Sequence, residues 1–163
     1  MREKYEKECA AVVQNCTYTA ETHHIIACKQ KRLGNAMQIA PAVIAAILGV
    51  LAGTNVLLPW TLWLSVIAAV VTAVGNVLNP FAEYYTNLNA AKSFTILKQD
   101  ARGLLNTFSA SMTDDIFASA THAIHDRYND LVRLAPPTDP KSFEKARKRV
   151  QSGVHELDKN EQF

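Results

Sequence analysis

The chain has 163 residues with 17 basic and 15 acidic side chains, a formal net charge of +2. That length suits one domain of ordinary size, and so balanced a charge gives nucleic-acid binding little electrostatic support. A mean hydropathy of −0.04 looks soluble, but it averages two unlike parts, because no Asp, Glu, Lys or Arg occurs in the fifty residues from Leu33 to Ala82.

The chain opens on MREKYEKE, which is densely charged and lacks the apolar core of a secretory signal. Tyr5, Cys9, Val12, Cys16, Thr19, His23, Ile26 and Leu33 follow at steps of mostly three and four, the spacing of one helical face. Charge gathers at the two ends, around an uncharged middle from Cys9 to Ala20. We read residues 1–35 as an amphipathic helix on the cytosolic side, packed against other helices. The three cysteines, Cys9, Cys16 and Cys28, are an odd set on one helix and suit a reducing compartment. In such a compartment the Asn15-Cys16-Thr17 sequon has no meaning.

Residues 36–79 read as a transmembrane hairpin with spans at about 36–53 and 56–78. Gly53-Thr54-Asn55 supplies turn chemistry between them. Pro59 suits the first turn of a new helix, where its missing N–H costs little. Each span is close to the length that crosses a hydrocarbon core of roughly 30 Å. The alternative is a soluble bundle with an apolar central hairpin. A soluble bundle of this size cannot cover two helices on all sides, so each would need a charged face, and neither has one. Trp60 and Trp63 follow the turn, where an interfacial aromatic belt would sit. Lys29, Lys31 and Arg32 precede the first span and the turn has no basic residue. That bias puts both termini in the cytoplasm and the chain in the cytoplasmic membrane, with the lipid bilayer as its first partner.

Residues 80–163 read as a cytosolic helical region. Asn79-Pro80 kinks or restarts the helix. Tyr85, Leu88, Phe94, Leu97, Ala101, Leu104, Leu105 and Phe108 form a face to about Phe108, and Ser109 to Thr113 is a break. Thr113, with Asp114 and Asp115 behind it, starts a helix whose face is Phe117, Ala120, Ile124, Tyr128, Leu131 and Leu134. Ala135-Pro136-Pro137 ends that helix. Asp139-Pro140 caps a last, basic one that runs to about Leu157. The fold class is therefore all-α, an integral membrane hairpin continuous with a cytosolic helical bundle.

Two stripes in the hairpin carry the functional candidates. Thr61, Ser65, Thr72, Asn76 and Asn79 fall within roughly 60° of one another at about 100° per residue. They either bond between helices or line a pore. Two spans cannot enclose water, so a pore requires a homo-oligomer. Ala42, Ala45, Gly49 and Gly53 form a small-residue stripe that lets backbones approach, inside the hairpin or between protomers. His24 with Cys28, and His122 with His125, lie one turn apart, but neither pair completes a metal-ligand set. Phosphate loops, nucleophile elbows and His-Glu-x-x-His are absent, so neither an enzyme nor a cofactor is expected.

The order of these parts carries a resemblance. A charged helix leads into the uncharged hairpin, which exits at Leu78-Asn79-Pro80. Ala90-Ala91-Lys92-Ser93-Phe94 and Leu97 through Arg102 follow. The next helix ends at Leu134-Ala135-Pro136-Pro137, and a short basic helix carries Phe143, Ala146 and Arg147. In this the chain resembles the SLATT family of bacterial two-transmembrane effectors along nearly its whole length. The resemblance implies a defence effector in the cytoplasmic membrane that perforates it and stops the infected cell. It also implies a trigger, a nucleotide signal made or sensed by a separate protein or met by the cytosolic helices themselves. A non-conducting membrane-anchored scaffold that recruits a cytosolic partner is the other reading of the same parts.

Overall fold

A computed structural model describes residues 2–53 and 59–153. Among them all regular structure is helical. Helix α1 spans Arg2–Gly53, α2 Pro59–Leu78, α3 Pro80–Gly103, α4 Asp114–Leu134 and α5 Pro140–Gln151. A π-helical turn at Leu104–Phe108 and a 3-10 turn at Ser109–Ser111 join α3 to α4.

The boundary expected near residue 35 is not a break. α1 runs through it and through Pro41 without interruption. Proline at 41 deletes one hydrogen bond, to the Met37 carbonyl, and the flanking bonds hold the helix through it. The Thr54-Asn55 turn lies outside the described residues. Pro59 is the first residue of α2, as its chemistry suggests. Asn79 alone separates α2 from α3. Its φ of 40° is left-handed, a conformation asparagine tolerates better than most residues. Its amide N–H donates back to the Gly75 carbonyl at 3.0 Å, while its side-chain oxygen accepts from the Ala82 N–H at 3.3 Å. One residue thus closes one helix and caps the next.

The chain divides into two compact units. One is Cys28–Tyr85. The other joins the residues up to Ala27 with those from Thr86 onward. The hairpin unit therefore extends beyond the uncharged stretch, because charged and aromatic residues continue its packing there. Gln30 donates to the Glu83 carboxylate at 2.8 Å, the Lys31 ammonium lies 5.7 Å from the Tyr84 ring centroid, and Gly34 meets the Phe81 ring.

The core of the other unit is Cys9, Val12, Cys16 and Ala20 of α1, Phe94, Leu97 and Ala101 of α3, Leu104 of the π turn, and Phe117 and Ile124 of α4. Apart from Ala20, these residues lie on the faces read from the periodicity, and each large buried side chain contributes about 1.5–3 kcal/mol. Four positions depart from those faces. Leu33, Tyr85, Phe108 and Leu134 are exposed. They sit at the ends of their faces. Arg2 ties the start of α1 to the α3–α4 connection. It donates to the carbonyls of Ser109 and Met112, pairs with Asp114 at 3.2 Å and lies 5.2 Å from the Phe117 ring centroid. Thr113 occupies the N-cap of α4 without a side-chain bond, whereas Asp139 caps α5 by accepting from the Ser142 N–H at 2.9 Å.

Candidate functional site

The candidate site is the hairpin. The half-buried residues along the apolar part of α1 are Met37, Pro41, Ile44, Leu48 and Leu51. Those of α2 are Thr61, Leu64, Ala68, Val71 and Gly75. Both series alternate steps of three and four, the about 3.5-residue repeat of a 3-4 packed pair. The two helices approach closely at Gly75, where a Cβ would stand 3.3 Å from the Met37 Cβ. From Met37–Gly75 through Gly34–Phe81 to Gln30–Glu83, the numbers fall on one strand of the hairpin as they rise on the other, so the pair is antiparallel.

Antiparallel pairing decides which side each stripe occupies. Every α-helix turns in the same hand at about 100° per residue. When two run oppositely, the residue just after each seam position lies on one common side of the pair. On that side α1 presents Gln38, Ala42, Ala45, Gly49 and Ala52. α2 presents Leu62, Ser65, Ala69, Thr72 and Asn76, and all ten are exposed. The residues just before the seam lie on the opposite side. There α1 carries Ala40, Val43, Ile47 and Val50, and α2 carries Trp60, Trp63, Ile67, Val70 and Val74. These residues too are exposed, Trp63 to 71%. Leu62 apart, one side of the hairpin is small and polar, and the other, Ala40 apart, is bulky and apolar.

The two stripes read separately from the sequence thus share a side. Ser65, Thr72 and Asn76 stand beside Ala42, Ala45 and Gly49. Thr61 is in the seam, and Asn79 is at the helix break. Gly53 is the last residue of α1 and lies outside the residues whose packing is described. The Ser65 and Thr72 hydroxyls bond within their own helix rather than across the hairpin. Ser65 Oγ donates to the Leu62 carbonyl at 2.7 Å and Thr72 Oγ1 to the Ala68 carbonyl at 2.9 Å, both within α2. Gly49 does not pack inside the hairpin, since a Cβ on it would meet nothing within 4 Å. Leu, Ile and Met fill the seam instead, with Gly75 as the close contact, a role that its place outside both stripes had hidden.

The histidine pairs do not gather ligands. His122 meets the Tyr5 ring edge-on at 5.7 Å, and among the described residues no group of three His, Cys, Asp or Glu is placed to hold a metal ion. Cys9 and Cys16 are buried and Cys28 is exposed. Burial pushes the Cys9 thiol up, and pushes Cys16 up to about 11 against the opposing pull of the Lys98 ammonium. No family model, curated protein or solved structure matches the chain. Two helices are long and apolar enough to cross a membrane, and none of their most apolar stretch is buried.

Proposed function

We propose that the protein is a membrane-embedded, oligomeric, pore-forming effector of bacterial defence, as its resemblance to the SLATT family implies. The hairpin crosses the cytoplasmic membrane with both termini inside. The two-sidedness of the hairpin carries this reading. In hydrocarbon a bulky apolar side is at home, whereas small residues and exposed Ser, Thr and Asn groups favour protein or water. Copies that turn the bulky side outward bring Ser65, Thr72 and Asn76 together on the inside. Small residues at Ala42, Ala45 and Gly49 let neighbouring backbones close the ring.

The test is conductance across a planar bilayer after reconstitution of the detergent-purified chain. Discrete current steps that vanish in Thr72→Leu with Asn76→Leu, with assembly retained, support the pore. Current that survives both changes removes Thr72 and Asn76 from the path.

One observation favours the scaffold reading. Lys141, Lys145 and Lys148 form an exposed stripe along α5 with no ion pair among the described residues, while Arg147 and Arg149 are committed to Glu144 and Glu21. Insertion without current, together with capture of an acidic partner lost in Lys145→Glu, would favour it.

A further inference from the structure

Outside the hairpin, a cationic crevice lies between α1 and α3. It has a volume of about 420 Å³, within the range of small-molecule sites. Ala20, Leu88, Ala91 and Ile96 give it apolar walls, and the two alanines leave the floor open. Three groups that can carry positive charge line it: His24, Lys92 and Lys98.

Two of these groups, Lys92 and Lys98, are not balanced by a carboxylate from within the crevice. Its one carboxylate, Glu21, is 7% exposed and is held at 2.7 Å by Arg149 of α5. That pair neutralises itself. Lys92 and Lys98 have no carboxylate partner among the described residues, and Lys98 is half-buried. A partly desolvated ammonium without a counter-ion is costly, and an anion removes that cost. The threonines along the same walls cannot serve instead. Thr17 Oγ1 donates to the Val13 carbonyl at 2.8 Å and Thr95 Oγ1 to the Ala91 carbonyl at 2.8 Å, so both hydroxyl hydrogens are spent.

We propose that this crevice binds a small phosphomonoester with an apolar body, the phosphate between Lys92 and Lys98 and the body against Leu88, Ala91 and Ile96. A compact dianion matches two ammonium groups better than a carboxylate does. The proposal does not depend on whether the hairpin conducts.

Isothermal titration of the detergent-purified full chain with 1-naphthyl phosphate is the test. 1-Naphthol, inorganic phosphate and dihexanoyl phosphatidic acid are the comparison ligands. Saturable binding is expected, with naphthol and phosphate each at least about tenfold weaker. Lys92→Gln and Lys98→Gln should each weaken it about tenfold, and Lys145→Gln on α5 should leave it unchanged. Helical circular dichroism of each variant checks folding. Phosphatidic acid binding more tightly than naphthyl phosphate, with the same lysine dependence, would make a lipid headgroup the source of the phosphate. Naphthol binding as tightly as naphthyl phosphate, no binding by any ligand, or binding indifferent to both lysines in folded variants would overturn the site.

Discussion

His23 Nδ1 lies 2.9 Å from Asn87 Oδ1, joining α1 to α3 across sixty-four positions of sequence. Both residues are buried, His23 to 1% exposure, and the imidazole stacks on Phe94 with 5.9 Å between ring centroids. An amide oxygen only accepts, so Nδ1 carries the hydrogen. Asn87→Leu strands that donor and should cost about 1–3 kcal/mol. His23→Phe combined with Asn87→Leu removes both polar groups and should recover most of the loss. Melting of the detergent-solubilised variants by circular dichroism checks the order.

Gly34 and Phe81 form a second coupled pair. A Cβ on Gly34 would stand 2.8 Å from the Phe81 ring. Gly34→Ala should therefore destabilise the hairpin even though alanine favours a helix by about 1 kcal/mol. In a Phe81→Ala background the clash is gone and the same change should stabilise. A double-mutant cycle with no sign reversal would mean that the ring moves aside without cost.

The Glu21–Arg149 pair should be asymmetric. Arg149 is half-exposed and can rehydrate when its partner is lost, whereas Glu21 is nearly fully buried. Arg149→Ala should cost about 1–2 kcal/mol and Glu21→Gln less. Trypsin cleavage within α5 should accelerate more in the arginine variant. Equal acceleration would show that α5 is held elsewhere, through Ser142, Ala146 and the Tyr18–Phe143 ring contact.

Thiol chemistry should separate the three cysteines. At pH 8 maleimide should take Cys28 quickly and leave Cys9 and Cys16 until the chain unfolds. Cys16 also sets a pH dependence. Its thiol titrates near 9.0 when free and at about 11 when folded. The folded state therefore binds the extra proton between those values, and stability should fall as pH rises from 9 to about 11. Cys16→Ser should flatten that decline.

The sides of the hairpin should answer differently to substitution. Ala45→Leu or Gly49→Leu on the small side should break up the oligomer, read by cross-linking in proteoliposomes. Ile47→Ala or Val70→Ala on the bulky side should leave it intact. Equal disruption by both kinds would remove the distinction between the sides.

Much of this was legible in sequence. The steps of three and four marked Cys9, Val12, Cys16, Phe94, Leu97, Phe117 and Ile124 as interior. Asp139 and Pro140 announced the start of α5. Uncharged length alone identified two helices able to span a bilayer. Face ends were harder to read, because Tyr85 and Leu134 keep the period after their neighbours have stopped. The joint side of Ser65 and Gly49 was beyond the sequence for another reason. Each stripe is visible on its own helix, but their common side depends on which residues make the seam. Gly75 and Met37 settle that only in three dimensions. The crevice charge was hidden likewise, since Lys92 and Lys98 matter only once Glu21 is taken by Arg149.

The second unit is discontinuous in the chain, and that orders its making. Cys9 and Val12 leave the ribosome first, and their partners Phe117 and Ile124 follow more than a hundred residues later. Between them comes the hairpin, with Val50 at 70% and Val77 at 85% exposure, a surface that aggregates if it waits in water. On the proposed membrane reading the hairpin is delivered while synthesis continues, and the α1–α4 core closes only afterwards. A ribosome stalled just past α3 should hold a chain whose hairpin is already placed and whose Cys9 and Cys16 still react with maleimide.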